Sequence, residues 1–139
     1  MKTIILATHG NLSFEFKKTA ELIVGNTTNI KCFGMTKDKS ASQGKKELVE
    51  MINSAGNTEL IILTDLFGGS VTNICTELLL EKDNFELLTG LNLPMLLTLL
   101  TIDTNELKMS ELIRKLEHAG MAGVINVGQK VRERIGNNA

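Results

Sequence analysis

Apolar residues in this chain follow two kinds of period, and the alternation between them predicts its elements. Thr3-Ile4-Ile5-Leu6-Ala7 and Leu60-Ile61-Ile62-Leu63 are continuous apolar runs, the pattern of strands covered on both faces. Ile30-Lys31-Cys32-Phe33 is a weaker strand, and Phe85-Glu86-Leu87-Leu88 a later one. Between them the spacing changes to threes and fours. Leu12, Phe16, Ala20 and Ile23 form one helical stripe, closed by Gly25. Ser40 with Gln43 makes a capping box for a second helix carrying Ala41, Leu48, Ile52 and Ala55 and ending at Gly56. Val71, Ile74, Cys75, Leu78 and Leu79 predict a third helix with Ser70 as its N-cap. Pro94 suits the first position of a short helix over Met95 to Thr101. Met109, Leu112, Ile113 and Leu116 mark a fifth helix, stopping near Gly120. Val124-Ile125-Asn126-Val127 reads as a short final strand, and the last residues as a frayed polar tail.

Strand and helix in alternation predict an α/β fold, a doubly wound, mainly parallel open sheet with helices on both faces. The last strand is then free to lie as an antiparallel C-terminal edge. One domain over residues 1–130 with a tail over 131–139 accounts for the chain, whose 139 residues are enough to bury a real core.

Composition narrows the function classes. Lys plus Arg number 15 against 16 Asp plus Glu, for a formal charge of −1. That balance argues against nucleic acid, which is bound through clustered cations. All five aromatic residues are Phe, so stacking platforms are scarce. Cys32 and Cys75 lie in apolar stretches without metal-ligand spacing and read as buried thiols of a reducing compartment. No signal-peptide pattern opens the chain, and its longest apolar stretch falls short of the roughly 20 residues that span a bilayer. A cytoplasmic protein is expected, with no metal and no cofactor.

Open α/β sheets bind ligands at the carboxyl ends of their strands. Those ends are Ala7-Thr8-His9-Gly10-Asn11, Thr64-Asp65-Leu66-Phe67-Gly68-Gly69-Ser70 and Thr89-Gly90-Leu91-Asn92-Leu93-Pro94, which should share one rim. His9 can act as base, ligand or nucleophile, or simply hydrogen-bond a loop. Asp65 can accept Nδ1–H of His9, fix its tautomer and free Nε2 for attack, or it can cap its own loop. Gly68-Gly69 expose backbone N–H groups before a helix N-terminus, where an anion is favoured. Ser70 can donate to a phosphate or cap that helix. Together these residues suggest a nucleophilic histidine that carries a phosphoryl group. No P-loop, dinucleotide fingerprint or nucleophile elbow competes with that reading. His118, beside Glu117 and near Gly120, reads as a structural histidine at a helix C-terminus.

In these three segments the chain resembles the EIIA domain of the mannose (mannose/fructose/sorbose) family of the bacterial phosphoenolpyruvate-dependent sugar phosphotransferase system. The likeness runs from Met1 to about Val127 and rests on Ala7-Thr8-His9-Gly10, on Thr64 through Asn73, and on Thr89 through Leu96. It implies a phosphotransferase component in which the phosphocarrier HPr phosphorylates the residue matching His9. EIIB then takes the phosphoryl group on to a sugar entering through the membrane permease EIIC/EIID. Asp65 matches the carboxylate that orients the histidine, and Gly68, Gly69 and Ser70 match the loop beside the phosphate. Gly10, Phe67 and Asn92 would form a partner-docking rim. The family also implies a homodimer with a C-terminal edge strand at the contact, which Val124 to Val127 match in position only.

Two departures stand out. Val71 follows Gly-Gly-Ser where the family often has Pro, and Phe67 stands where Trp is frequent, preserving an apolar wall over the imidazole. Many relatives fuse EIIA to EIIB, whereas the sequence ends after EIIA, so a free-standing subunit is expected. Two other readings share the histidine: the phosphotransfer subunit of the dihydroxyacetone kinase system, and a regulatory module switched by phosphorylation of His9. The sugar stays open.

Overall fold

The computed structural model describes residues 2–138. Strand β1 (Lys2–His9) leads into helix α1 (Leu12–Val24), followed by β2 (Ile30–Met35), α2 (Ala41–Ser54) and β3 (Glu59–Thr64). Helix α3 (Ser70–Lys82), β4 (Glu86–Thr89) and α4 (Leu93–Thr101) come next, then a 3-10 turn over Thr104–Glu106, α5 (Met109–Ala122) and α6 (Val127–Asn138). The sheet is four-stranded and wholly parallel, in the order β2-β1-β3-β4. This is the doubly wound α/β class that the sequence predicts.

The continuous apolar runs are continuous because both faces of the sheet are covered. Ile5, Ala7, Leu60 and Ile62 point to one core, completed by Leu48 and Ile52 of α2 and by Val71, Cys75 and Leu78 of α3. Ile4, Leu6, Ile61 and Leu63 point to the other, against Ala20 of α1, Leu96 and Leu99 of α4 and Leu112 and Leu116 of α5. Alternate residues of one strand therefore feed opposite cores, and neither core forms without the central pair β1 and β3.

Local signals hold in several places. Ser40 and Gln43 form the reciprocal capping box. Asn92 caps α4, its Oδ1 accepting from the Met95 N–H at 3.0 Å, with Pro94 in the first turn. Helix α5 does end near Gly120, at Ala122, but Gly120 itself lies inside it, where a Cβ would stand 2.8 Å from Met95 Cε: the glycine lets α5 close on α4. Others fail for identifiable reasons. Val124 to Asn126 belong to no strand, and Val127 opens a helix where an antiparallel edge strand was expected. The cause is Asn126, whose Oδ1 accepts from the Gln129 N–H at 2.9 Å while its carbonyl accepts from Lys130. That N-cap starts a helix in place of the frayed tail, supported by Gln129 donating to Glu133 one turn on.

Cys75 sits in the first core, and burial pushes its thiol from an ordinary 9.0 up to about 12; burial also raises Cys32, though it is only half-buried. At pH 8 a thiol reagent should leave Cys75 untouched in the folded chain and modify it fully in urea, as read by intact mass. A folded-state value above the unfolded one means that this thiol's stabilising contribution is complete below pH 9 and is lost as pH climbs beyond it. Rapid native labelling of Cys75 would contradict its placement.

Candidate active site

The two central strands deliver His9 and Asp65 side by side. His9 is the last residue of β1, and Asp65 follows the last residue of β3. One carboxylate oxygen, Asp65 Oδ2, accepts from both the backbone N–H of His9 and its ring Nδ1, each at 3.0 Å. A carboxylate oxygen only accepts, so Nδ1 carries the proton and Nε2 keeps its lone pair. The His9 side chain is 45% exposed and that of Asp65 13%. Asp65 Oδ1 is buried and has no donor among the described residues.

The turn after β1 is locked to its neighbours through backbone groups. Gly10 adopts φ +55 and its N–H donates to the Met35 carbonyl at 2.8 Å. Ser13 N–H donates to Thr8 Oγ1, and Ser13 Oγ donates to the Phe33 carbonyl, both at 2.8 Å. The Gly10 carbonyl lies so close to Gly34 that a Cβ there would stand 2.3 Å from its oxygen. The end of β1 thus rests directly on the backbone of β2.

On the other side, the segment from Leu66 to Gly69 is a turn, Gly69 N–H donating to the Leu66 carbonyl with Gly68 at φ +82. Gly69, not Ser70, is the N-cap of α3, and no side chain caps that helix. This placement of the imidazole requires that Gly69 carry no side chain, since a Cβ would lie 2.6 Å from His9 Cε1 and 3.2 Å from Nε2. Ser70 is the first helical residue, and its Oγ stands 3.5 Å from Nε2. The free face of the imidazole therefore looks onto an uncapped helix N-terminus and a hydroxyl, the arrangement that receives an anion.

Residues 3–117 match the EIIA-man family model, described as the PTS system fructose IIA component. The chain belongs to this family. The EIIA chain is 30% identical over 113 residues to the sorbose-specific EIIA component of Lacticaseibacillus casei, covering 81% of each. It is 25% identical over 122 residues to the mannose-specific EIIAB component of Escherichia coli K12, covering 87% of this chain and 38% of that longer protein. Among solved structures, the mannose/sorbose-specific IIA subunit from Enterococcus faecalis aligns with a TM-score of 0.83 at 26% identity, over 91% of this chain and 95% of that one.

The structure brings His9, Asp65, Gly69 and Ser70 of this EIIA chain together and gives other expected residues different surroundings. Phe67 is 83% exposed, so its ring stands in solvent and is not a wall packed over the imidazole. Asn92 has both ends of its amide engaged inside the fold, by Met95 and by the Gly120 carbonyl; it joins α4 to α5 and is not a free docking group. His118 is exposed on α5, beside Arg114, Lys115, Thr98 and Ile102 in a groove against α4. Leu66, next to Asp65, is 58% exposed, and Leu12 and Ile23, expected on the buried stripe of α1, are 45% and 59% exposed, so that only Ala20 of that stripe is fully buried. The signal for Leu66 was an apolar residue just after a buried strand has ended.

Gly69→Ala should fold with a stability change of no more than about 1–2 kcal/mol, since its backbone is extended and the imidazole is free to swing outward. A crystal structure of the variant should show the ring displaced from Asp65. An imidazole still bonded at Nδ1 would contradict the contact described here.

Proposed function

We propose that this chain is a histidine phosphocarrier of a sugar phosphotransferase system, in which His9 accepts a phosphoryl group from phospho-HPr and passes it to EIIB. The observation that carries this reading is the single Asp65 oxygen holding both the backbone and Nδ1 of His9, in a side chain 45% exposed whose Nε2 lies beside the N-terminus of α3. In the first transfer the Nε2 lone pair attacks the phosphorus of the donor phosphohistidine. A new N–P bond forms, the donor N–P bond breaks, and the donor imidazole keeps that electron pair. The product is a phosphoimidazolium whose positive charge lies next to the Asp65 carboxylate. Ser70 Oγ and the backbone of Gly68-Gly69-Ser70 are the groups proposed to hold the phosphoryl oxygens. The second transfer reverses these roles toward EIIB, so no cofactor is needed.

Both exchanges are between proteins, which requires the histidine on open surface with apolar neighbours for docking. Gly10, Leu66 and Phe67 serve that rim. The permease EIIC/EIID is reached only through EIIB, and the setting is the cytoplasm; no helix among the described residues is long and apolar enough to cross a membrane. A homodimer belongs to the same reading, supported by the exposed apolar run Met121, Val124, Ile125, Val127, Val131 and Ile135.

Incubation with phosphoenolpyruvate, enzyme I and HPr should add one acid-labile, base-stable phosphate to the wild-type chain and to His118→Ala, but not to His9→Ala, as read by mass spectrometry. Asp65→Asn should fold normally and accept phosphate at least about 100-fold more slowly. Phosphate on His9→Ala, or none on the wild-type chain, would overturn the proposal.

A further inference from the structure

Three threonines meet beneath the Asp65 loop, on a face of the sheet that is otherwise apolar. Thr64 ends β3 on the side of Leu60 and Ile62 and is fully buried. Thr89, its register partner at the end of β4, lies beside it. Thr72, in the first turn of α3 and 4% exposed, sits over both. Oγ1 of Thr64 is 2.8 Å from that of Thr89 and 2.8 Å from that of Thr72, and Thr72 Oγ1 is 2.6 Å from the Leu66 carbonyl oxygen.

Proton counting gives these contacts a direction. Each hydroxyl has one proton, and the Leu66 carbonyl can only accept. Thr72 therefore donates to Leu66. The geometry also directs Thr72 Oγ1 toward Thr64 Oγ1 and Thr64 Oγ1 toward Thr89 Oγ1, so the one Thr72 proton is shared between the Leu66 carbonyl, its shorter contact, and Thr64, while Thr64 donates on to Thr89. The same carbonyl accepts from Gly69 N–H and closes the turn that carries Phe67 and Gly68.

We infer that this hydroxyl chain is a positioning device for His9, acting through Asp65. Asp65 lies between the two residues that the chain fixes, Thr64 by its side chain and Leu66 by its carbonyl. Among the described residues its carboxylate bonds only to His9, and its second oxygen has no donor. The direction of the carboxylate is thus set by the backbone on either side of it, and that backbone is held by Thr72. Thr64 and Thr72 are also too deeply buried to serve a docking partner. The inference rests on the phosphocarrier reading for its consequence, but its geometry does not need a phosphate.

Thr72→Val keeps the shape and removes the hydroxyl, and Thr72→Ser restores it. Phosphate acceptance from phospho-HPr should slow on the order of 10- to 100-fold in Thr72→Val, the effect of a small misplacement, and return toward the wild-type rate in Thr72→Ser. Imidazole nitrogen resonances, assigned with His118→Gln, should show the Nδ1–H tautomer of His9 dominant in the wild type and in Thr72→Ser. In Thr72→Val the two tautomers should mix. Thr89→Val, at the half-buried end of the chain, provides the same comparison if Thr72→Val does not fold. A valine variant with the wild-type tautomer and the wild-type rate would overturn the inference. A wild-type chain that takes no phosphate would defeat the carrier reading alone, because the tautomer still reports on the threonines.

Discussion

The double hydrogen bond from His9 to Asp65 Oδ2 depends on the strand order, and the site depends on it. In the order β2-β1-β3-β4 the two residues extend from the central strands, which are paired along their length and covered on both faces. After β1 the chain turns toward the face of α1, and after β3 toward the face of α3. Adjacent strand ends whose connections leave in opposite directions open a crevice between them, the place where doubly wound sheets put their ligands. A histidine that ends one of these strands and a carboxylate one step beyond the other have little choice but to meet.

The two sides are fixed by different means. The His9 side is held by backbone against backbone: Gly10 on Met35, and the Gly10 carbonyl against Gly34. The Asp65 side has no comparable strand beneath its loop, which projects past the end of the sheet, and hydroxyls take the place of backbone groups there. Buried hydroxyls are tolerated only when bonded, and the three threonines bond one another and the loop carbonyl. An apolar residue in place of Thr72 would pack as well against the strand ends but would take the hydroxyl donor from the Leu66 carbonyl.

Most of the framework was legible because it follows from periodicity. Continuous runs such as Leu60 to Leu63 have few interpretations besides a strand buried on both faces, and strand ends then locate His9 and Asp65 without coordinates. Failures came where one residue serves a purpose that local pattern does not encode. Gly120 has the composition of a helix stop and lies near the end of α5, but it also meets Met95 across a helix contact. Val124 to Val127 have strand composition, yet Asn126 followed three residues later by Gln129 is a helix start, hidden by the glycines at 128 and 136. Asn92 sits on a strand-end loop as a binding residue would, but its amide is engaged by partners 3 and 28 residues away. The threonine chain was invisible for the same reason: Thr64, Thr72 and Thr89 are related by register and helix placement, not by spacing.

Ser70 illustrates how one steric fact has several consequences. A serine before α3 is expected to cap it, and a side chain one residue earlier would do so too. Position 69 has no room for a Cβ while the imidazole of His9 keeps its place against Asp65. Glycine there makes an N-cap only a few tenths of a kcal/mol weaker than a polar side chain, so the helix loses little. What changes is the use of its terminus. Among the described residues no side-chain cap bond closes this helix end, and the Ser70 hydroxyl, moved from the cap into the first turn, turns toward Nε2. The same close approach that excludes a side chain at Gly69 keeps the helix end open beside the histidine. Imidazole, hydroxyl and helix N-terminus are thus assembled by a single contact, and a residue larger than glycine would disturb all three together.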